Sequence, residues 1–349
     1  MRALASKVGV ESRSISAYEN GEFGPDDENV RKLASELRFP EPFFFGDDLD
    51  EPTPDIASFR ALTRMTAGQR DTALGAGAIA LMLNDWIEKR FELPAADLPD
   101  LSREKGPEAV AGALRQTWGL GELPVKNMVH LLESKGVRVF SLSIDAAEVD
   151  AFSMWRQSTP FVFLNTHKSC EHSRFDAAHE LGHLVLHRHG SPQGREAEQE
   201  ANAFASAFLM PRASVLAKAP HVATVNHLLQ LKKSWNVSVA ALAYRLHAVG
   251  VLSDWHYQSI FVEISARGYR KKEPNEAPRE SSQVFKKVFA VLRDERVSKV
   301  DIASDLHIHA EELEQLVFGL TLTGLSGAGG AINTRRQPPN LRVVSSRNK

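Results

Sequence analysis

The stretch His179-Glu180-Leu181-Gly182-His183 carries more information about this chain than any other. On an α-helix, residues four apart lie on the same side, so both imidazoles can reach one metal ion with Glu180 beside it. Zinc held by three protein groups keeps one position open for water, whose pKa then falls towards neutrality. The pattern is typical of zinc sites that hydrolyse peptide bonds. The alternative is a buried helix with two ordinary histidines.

A second helix, predicted downstream, offers a third ligand. Residues 196–210 carry apolar side chains at helical spacing, and the segment ends before Pro211. Glu198 and Asn202 lie one turn apart on this helix. That spacing suits a metal ligand followed by an amide that holds an imidazole through a hydrogen bond.

Together the two segments resemble the ImmA/IrrE family of zinc metallopeptidases, whose His-Glu-x-x-His helix is followed by Glu-x-x-Ala and then Phe-Ala on a second helix. The matching residues are Glu198-Gln199-Glu200-Ala201 and Phe204-Ala205, and the resemblance covers residues 105–250. It implies a gluzincin-like site in which Zn²⁺ is held by His179, His183 and Glu198, with Glu180 as the catalytic base and Asn202 supporting a ligand. Glu200 is the alternative third ligand, but a helix turns Glu198 and Glu200 roughly 200° apart, so only one can face the metal.

Three β-prone segments precede the metal-binding helix, at residues 137–141, 150–155 and 161–165. With the helical segments around them, they predict an α+β, mostly helical fold in which a small mixed sheet packs on the zinc helix, as in zincins. The middle segment is either a core strand or, by the family resemblance, an edge strand to which a substrate backbone adds. Tyr244, on a later predicted helix, either packs or supports an oxyanion.

The amino terminus shows a second resemblance. Residues 3–21 are similar to helices two and three of an XRE-type (Cro/cI-like) helix-turn-helix, with Gly9 in the turn and Ile15 and Tyr18 facing inward. Ser12 is predicted to cap the recognition helix. The resemblance implies that DNA is contacted by Ser12, Arg13, Ser14 and Ala17. The first helix of such domains is missing before this segment, so the domain is predicted to be truncated.

Charge does not favour DNA binding by this amino-terminal segment. Residues 1–45 hold six lysines and arginines against eight acidic residues, which gives a net charge of −2. A segment with that charge does not by itself attract a phosphate backbone. A helical oligomerisation or docking module is therefore the alternative.

Composition shifts divide the chain into five parts. An acidic, proline-broken linker at 46–55, an extended connector at 93–100 and a charged loop at 270–278 mark the boundaries. The predicted parts are a helix-turn-helix at 1–46, a helical connector at 56–100, the metallopeptidase domain at 101–266, a small helical C-terminal module at 280–322 and a disordered basic tail at 323–349.

Two of these parts carry further expectations. One or two helices are predicted at 56–92, with Gly75 and Gly77 weakening the middle. The C-terminal module contains a helical pair that is either a second helix-turn-helix, a lid or a dimer contact. The tail carries five basic residues and no acid from Gly324 onward, so weak attraction to nucleic acid is expected.

The chain reads as a cytoplasmic protein without a membrane partner. It has 349 residues, of which 43% are hydrophobic and 25% are charged, and a net charge of −2, so it can bury a core. There is no apolar run of eighteen residues and no signal-peptide core. Its single cysteine, Cys170, cannot form an internal disulfide and is expected to be buried. Four further histidines are expected to be solvated or packed, since a fourth protein ligand would displace water from the metal: His167, His172, His187 and His189.

The sequence therefore predicts a zinc-dependent endopeptidase that cleaves a protein partner. By family likeness that partner is a transcriptional repressor or antitoxin, and the helix-turn-helix couples cleavage to DNA and to the regulation of transcription in a stress response. A homodimer is a further expectation. The alternative is a DNA-binding regulator that uses the zinc fold as a non-hydrolytic sensor or interaction platform.

Overall fold

The computed structural model describes residues 1–50, 52, 58–59, 66–101, 103–142, 149–188 and 194–321. The strands among them are β1 Ser58–Phe59, β2 Arg138–Ser141, β3 Ala151–Arg156 and β4 Thr159–Leu164. The helices are α1 Arg2–Val8, α2 Ser12–Glu19, α3 Asp27–Leu37, α4 Ala67–Glu88, α5 Pro107–Thr117, α6 Met128–Ser134, α7 Cys170–Leu186, α8 Arg195–Leu209, α9 Arg212–Lys218, α10 Val225–Leu231, α11 Val239–Ala248, α12 Asp254–Ala266, α13 Gln283–Asp294, α14 Lys299–Asp305 and α15 Ala310–Val317. Short 3₁₀ turns lie at Glu41–Phe45 and Lys232–Ser234. The predicted α+β, mostly helical fold is confirmed.

The sheet has the order β1-β3-β4-β2 and is mixed. β3 and β4 are antiparallel, with Ser153 opposite Val162, whereas β2 runs parallel to β4. All three predicted strands are present. β1 pairs with β3 at Phe152 and Ser153, so the edge of β3 is covered there and the edge-strand hypothesis for substrate binding is not retained.

Helices cover both faces of the sheet. Side chains alternate along β3, so Ser153 and Trp155 face α7, where they bond to Glu180 and to the Leu184 carbonyl. Phe152 points the other way and stacks on Phe163, with ring centroids 4.2 Å apart. This apolar face packs against α4.

Helix α4 is one continuous helix of 22 residues, begun by a capping box between Thr66 and Gln69. Glycines were predicted to weaken the middle of this helix. Gly77 instead has a packing role, which that prediction did not include. A Cβ at position 77 would lie 3.4 Å from the ring of Phe152 and 3.1 Å from Pro52, so glycine allows the helix to approach the sheet closely. The helix prediction from residue 56 onward is also wrong at residues 58–59, which form β1.

The C-terminal helices α13–α15 pack on the same hydrophobic core as the sheet. That core runs from Ala73 to Leu320 among the described residues. Two carboxylates connect α6 with the segment at the start of α13, because each accepts hydrogen bonds from the free amides of a helix start. Glu280 accepts hydrogen bonds from the Met128 and Val129 amides at the start of α6, and Glu133 accepts one from the Gln283 amide at the start of α13. The C-terminal helices that follow the predicted charged loop are thus held against the rest of the protein.

The amino-terminal helices form a small core of their own. Ala5, Val8, Ile15 and Leu33 pack together there. Gly9 ends α1 in the left-handed conformation at φ 81°, which confirms the predicted turn. The N-cap of α2 is Glu11 and no side chain caps it, so the prediction that Ser12 is the cap is wrong.

The tail predicted at 323–349 lies outside the described residues. Among the described helices, none is long and apolar enough to cross a lipid bilayer.

Candidate metal centre

The metal-binding pattern lies on α7, a helix buried between the sheet and α8. Ser169 caps it by accepting a hydrogen bond from the His172 amide, and Glu171 adds a favourable negative charge in the first turn. His179, Glu180 and His183 are buried within it, at 0–3% exposure. Such burial of three polar side chains is costly unless each of them is bonded to a partner.

Helix α8 packs directly against α7 at residue 182, which is a glycine. A Cβ at Gly182 would lie 3.0 Å from the Phe204 ring and 3.3 Å from the Cα of Ala201. Both neighbours are fully buried. This close approach is what brings Glu198, on the first turns of α8, to the two imidazoles.

The side chains of His179, His183 and Glu198 converge on one point. The two Nε2 atoms are 3.1 Å apart, and the Glu198 oxygens lie 3.4 Å from His179 Nε2 and 3.2 Å from His183 Nε2. Among the described residues, this is the one group of three or more side chains placed to hold a metal ion. The structure brings Glu198, and not Glu200, to the imidazoles.

The spacing of these three donors fits a zinc ion. Tetrahedral zinc with ligand bonds of about 2.0–2.2 Å separates neighbouring ligand atoms by about 3.3–3.6 Å, close to the distances found here. The outer ring nitrogens are also bonded, since His179 Nδ1 lies 3.2 Å from Asn202 Oδ1. With the proton of each ring on Nδ1, both Nε2 lone pairs face a carboxylate, and a cation is needed to balance them.

Glu198 is ionised at neutral pH. Burial raises its pKa, but the hydrogen bonds and charges of His179 and His183 in their protonated forms outweigh burial and lower the pKa from 4.5 to about 2. A carboxylate, rather than a carboxylic acid, is the form that binds a metal ion.

Two residues near the centre have partners that the sequence did not predict. His187 was expected to be solvated or packed, but its Nδ1 lies 3.0 Å from Nδ1 of His183 and its Nε2 lies 3.0 Å from Glu200 Oε2. Glu200 therefore does not contact the metal-binding trio directly but is linked to His183 through His187. The regular spacing of His179, His183 and His187 at four-residue intervals is the sequence signal for this contact.

Glu180 is held from the sheet. Its Oε2 accepts a hydrogen bond of 2.7 Å from the Ser153 hydroxyl on β3, and both side chains are buried. Sequence reasoning missed Ser153, because only the pairing of strands decides which strand residue faces α7. A fixed carboxylate beside the metal-binding trio is placed to transfer a proton.

A cavity of about 640 Å³ opens beside the centre. It is lined by Asn202, which lies 3.2 Å from His179, and by Gln199 on α8, Tyr244 on α11 and Phe175 on α7. Tyr244 is 43% exposed, so it is not simply a core residue.

Four of the remaining predicted residues lie on α2. Arg13 is exposed and forms an ion pair with Glu11 at 2.6 Å, and Ser12 and Ser14 are partly exposed. Ala17 is buried at 6% exposure, beside Ile15, so its side chain does not face outward to DNA. Tyr18, predicted to face inward, is partly buried and packs against the amino-terminal core as well as on Phe23.

The other histidines and the cysteine lie apart from the metal-binding trio. His167 stacks on Phe318, and His172 lies 3.4 Å from the buried carboxylate of Asp176. Cys170 is half-buried, and burial raises the pKa of its thiol. His189 lies outside the described residues.

Comparison with known protein families agrees with this geometry. Residues 132–247, which include α7, α8 and all three converging side chains, match the peptidase M78 family model, described as the IrrE N-terminal-like domain. This part of the chain is therefore similar to an IrrE-like peptidase domain. Residues 1–44 match the family model described as helix-turn-helix, in agreement with the resemblance of α1 and α2. No curated protein matches the chain. The IrrE-like domain supports a metallopeptidase-like enzyme, and the helix-turn-helix supports a role in DNA binding and transcription regulation.

Proposed function

We propose that this protein is a zinc-dependent endopeptidase that cuts a protein partner, a transcriptional repressor or antitoxin, and that its helix-turn-helix couples the cut to transcription. The observation that carries this proposal is the convergence of His179, His183 and Glu198 within 3.1–3.4 Å, next to a buried Glu180. The match to an IrrE-like peptidase domain supports it.

In this mechanism the three side chains hold the metal. A zinc ion held by them would lower the pKa of a bound water molecule and would polarise the scissile carbonyl. Glu180 accepts the proton of the attacking water and then delivers it to the leaving amine. Ser153 donates to Oε2 of Glu180 and fixes the plane of the carboxylate, so the proton passes by way of Oε1.

The amino-terminal module localises the peptidase. Residues 1–44 match a helix-turn-helix, and Ser12, Arg13 and Ser14 lie on accessible positions of α2. DNA binding by this module would bring the peptidase to a repressor on its operator. The net charge of −2 in residues 1–45 makes sequence-specific contacts, rather than general attraction to phosphate, the source of that binding.

The test combines metal analysis with Glu180→Gln. Purified protein should contain about one equivalent of zinc, and removing it with a chelator should abolish cleavage of a repressor substrate. Glu180→Gln should keep the zinc and lose cleavage by at least 10²-fold, because the amide cannot accept a proton. Glu196→Gln, an exposed change on α8, is the matched control and should leave both properties unchanged.

Two outcomes would reject this function. If the purified protein contained much less than one equivalent of zinc, the proposed metal-dependent mechanism would be rejected. Zinc-loaded protein that leaves the repressor intact but shifts operator DNA, equally with and without Glu180→Gln, would favour the alternative of a non-hydrolytic DNA-binding regulator.

A further inference from the structure

A chain of hydrogen bonds leads from the metal-binding trio to the protein surface. His183 Nδ1 lies 3.0 Å from His187 Nδ1, and His187 Nε2 lies 3.0 Å from Glu200 Oε2. The side chains become more exposed along this path, at 1% for His183, 10% for His187 and 42% for Glu200. The His183 and His187 rings are tilted by 47° and do not stack, so their edges make the contact.

The protons of this chain can be placed in one consistent way when the rings are neutral. His183 Nε2 faces Glu198 and His179, and to bind a metal it must carry a lone pair. Its proton is therefore on Nδ1, which donates to His187. The accepting Nδ1 of His187 must then be unprotonated, so its proton is on Nε2, which donates to Glu200.

We propose that His187 and Glu200 are positioning residues that hold His183 in the tautomer and ring orientation needed to bind the metal. They do for His183 what Asn202, 3.2 Å from His179 Nδ1, does for the other imidazole. This inference rests on the proposed function for the identity of the metal and assigns Glu200 a role distinct from that of the ligand Glu198. Removing such outer partners of a zinc ligand typically weakens metal binding by about 10- to 100-fold.

The test measures zinc affinity by competition with a chelating dye. Glu200→Ala and His187→Ala should each weaken zinc binding by about 10- to 100-fold. The double variant should be no more than about twofold weaker than His187→Ala, because the two residues act in series through His183. Glu200→Gln should restore affinity to within a few-fold of the original protein, since its amide oxygen can accept the same hydrogen bond. The exposed Glu196→Ala on the same helix is the control and should bind zinc normally.

A spectroscopic measurement separates positioning from general loss of structure. In protein labelled with ¹⁵N-histidine and stripped of metal, His183 should be protonated on Nδ1 and His187 on Nε2. Glu200→Ala should disturb this pattern, whereas Glu200→Gln should retain it. Thermal melting of the metal-free variants checks that they are folded.

The outcomes of this test do not depend on hydrolysis. Unchanged zinc affinity in both single variants, losses that multiply in the double variant, or the opposite tautomer of His183 would each overturn the positioning role. A protein that holds zinc and shows this tautomer pattern but cleaves nothing would instead overturn the proposed peptidase function and support the positioning role.

Discussion

Two glutamates on α8, two positions apart, have different surroundings. Among the described residues, Glu198 contacts both imidazoles of the trio, whereas Glu200 contacts His187. Helical geometry predicts this separation, because residues two apart point in nearly opposite directions. The roles proposed for them, metal ligand and positioning residue, follow from which of them faces His179 and His183.

The hydrogen bond from Ser153 to Glu180 can be removed to test the proposed role of Glu180 as the catalytic base. Ser153→Ala removes the 2.7 Å hydrogen bond to Glu180 and leaves the carboxylate less firmly oriented. A hydrogen bond to a charged group contributes about 1.5–3 kcal/mol, so we expect kcat for cleavage to fall by roughly 10- to 100-fold with zinc content unchanged.

Ser141→Ala is the matched control for this change. Ser141 is also a buried serine of the sheet, but its hydroxyl bonds to Thr166 instead of Glu180. Equal losses of activity in the two variants, measured with the same protein substrate, would mean that Ser153 has no specific link to catalysis.

At the scale of elements, the approach of α8 to α7 depends on Gly182. Alanine normally favours a helix over glycine by about 0.5–1 kcal/mol. At position 182 the new Cβ would lie 3.0 Å from the Phe204 ring and 3.3 Å from the Ala201 backbone, and the buried neighbours have little room to move. We therefore expect Gly182→Ala to lower the free energy of unfolding by about 1–3 kcal/mol and to weaken zinc binding, because Glu198 is displaced.

Gly75→Ala on α4 isolates the effect of the close approach. A Cβ at position 75 meets nothing within 4 Å, so this variant should be as stable as the original protein or slightly more stable. Urea unfolding and zinc competition measure both variants. If Gly182→Ala stabilised the protein as much as Gly75→Ala does, the packing of α7 against α8 would not require glycine at position 182.

A buried ion cluster links α7, the turn after α10 and the loop that follows α12. Lys232 Nζ lies 2.8 Å from Glu171 and 3.1 Å from Glu273, and Glu273 also accepts a hydrogen bond from the Val239 amide at the start of α11. Burial alone lowers the pKa of Lys232, but the hydrogen bonds and charges of both glutamates outweigh it and raise the pKa. The lysine is therefore charged in the folded protein.

Replacing this lysine should destabilise the fold in a pH-dependent way. Lys232→Met leaves buried carboxylates without their cation and should lower the free energy of unfolding by about 3–5 kcal/mol at neutral pH. Because the folded-state pKa of Lys232 is raised, its contribution is complete below the unfolded pKa of about 10.4 and is lost as pH rises through the folded-state value.

Urea unfolding from pH 8 to pH 11 checks both parts of this prediction. The difference between the original protein and Lys232→Met should shrink at the alkaline end. Lys233→Met, an exposed neighbour, should change stability by less than about 0.5 kcal/mol throughout. A constant difference across the pH range would contradict a stabilising charge on Lys232.

At the scale of the whole molecule, the described residues contain two hydrophobic cores. One runs from Ala73 to Leu320 and includes the sheet, the metal-binding helix and the C-terminal helices. The other is confined to α1–α3, around Ile15. The division of the chain into domains remains a prediction, but this packing favours treating the C-terminal helices as part of the peptidase body.

Tryptophan fluorescence can follow that body alone, since all five tryptophans lie after residue 85. Leu316 on α15 is 3% exposed, and Leu316→Ala should lower the free energy of unfolding seen by tryptophan by about 2–5 kcal/mol. Ile15→Ala, an equally buried change in the amino-terminal core, should leave the tryptophan transition in place. A C-terminal module that unfolds independently would instead leave the transition unchanged in Leu316→Ala.

The sequence by itself determined which elements carry the candidate centre and which residue types they bring to it. Helical periodicity placed His179, Glu180 and His183 on one helix and Glu198 with Asn202 on another, because side-chain spacing along a helix is a local property. The three strands before α7 followed from β-propensity in the same way. The glycine at residue 9 likewise predicted a turn that depends only on local backbone conformation.

Only the tertiary structure decided how these elements meet. The hydrogen bond from Ser153 to Glu180, the covered edge of β3 and the contact of Glu200 with His187 all join residues from different elements. The roles of Gly77 and Gly182 depend on the neighbour that lies opposite each helix. Such contacts are fixed by the packing of the whole core, which no local pattern of residues encodes.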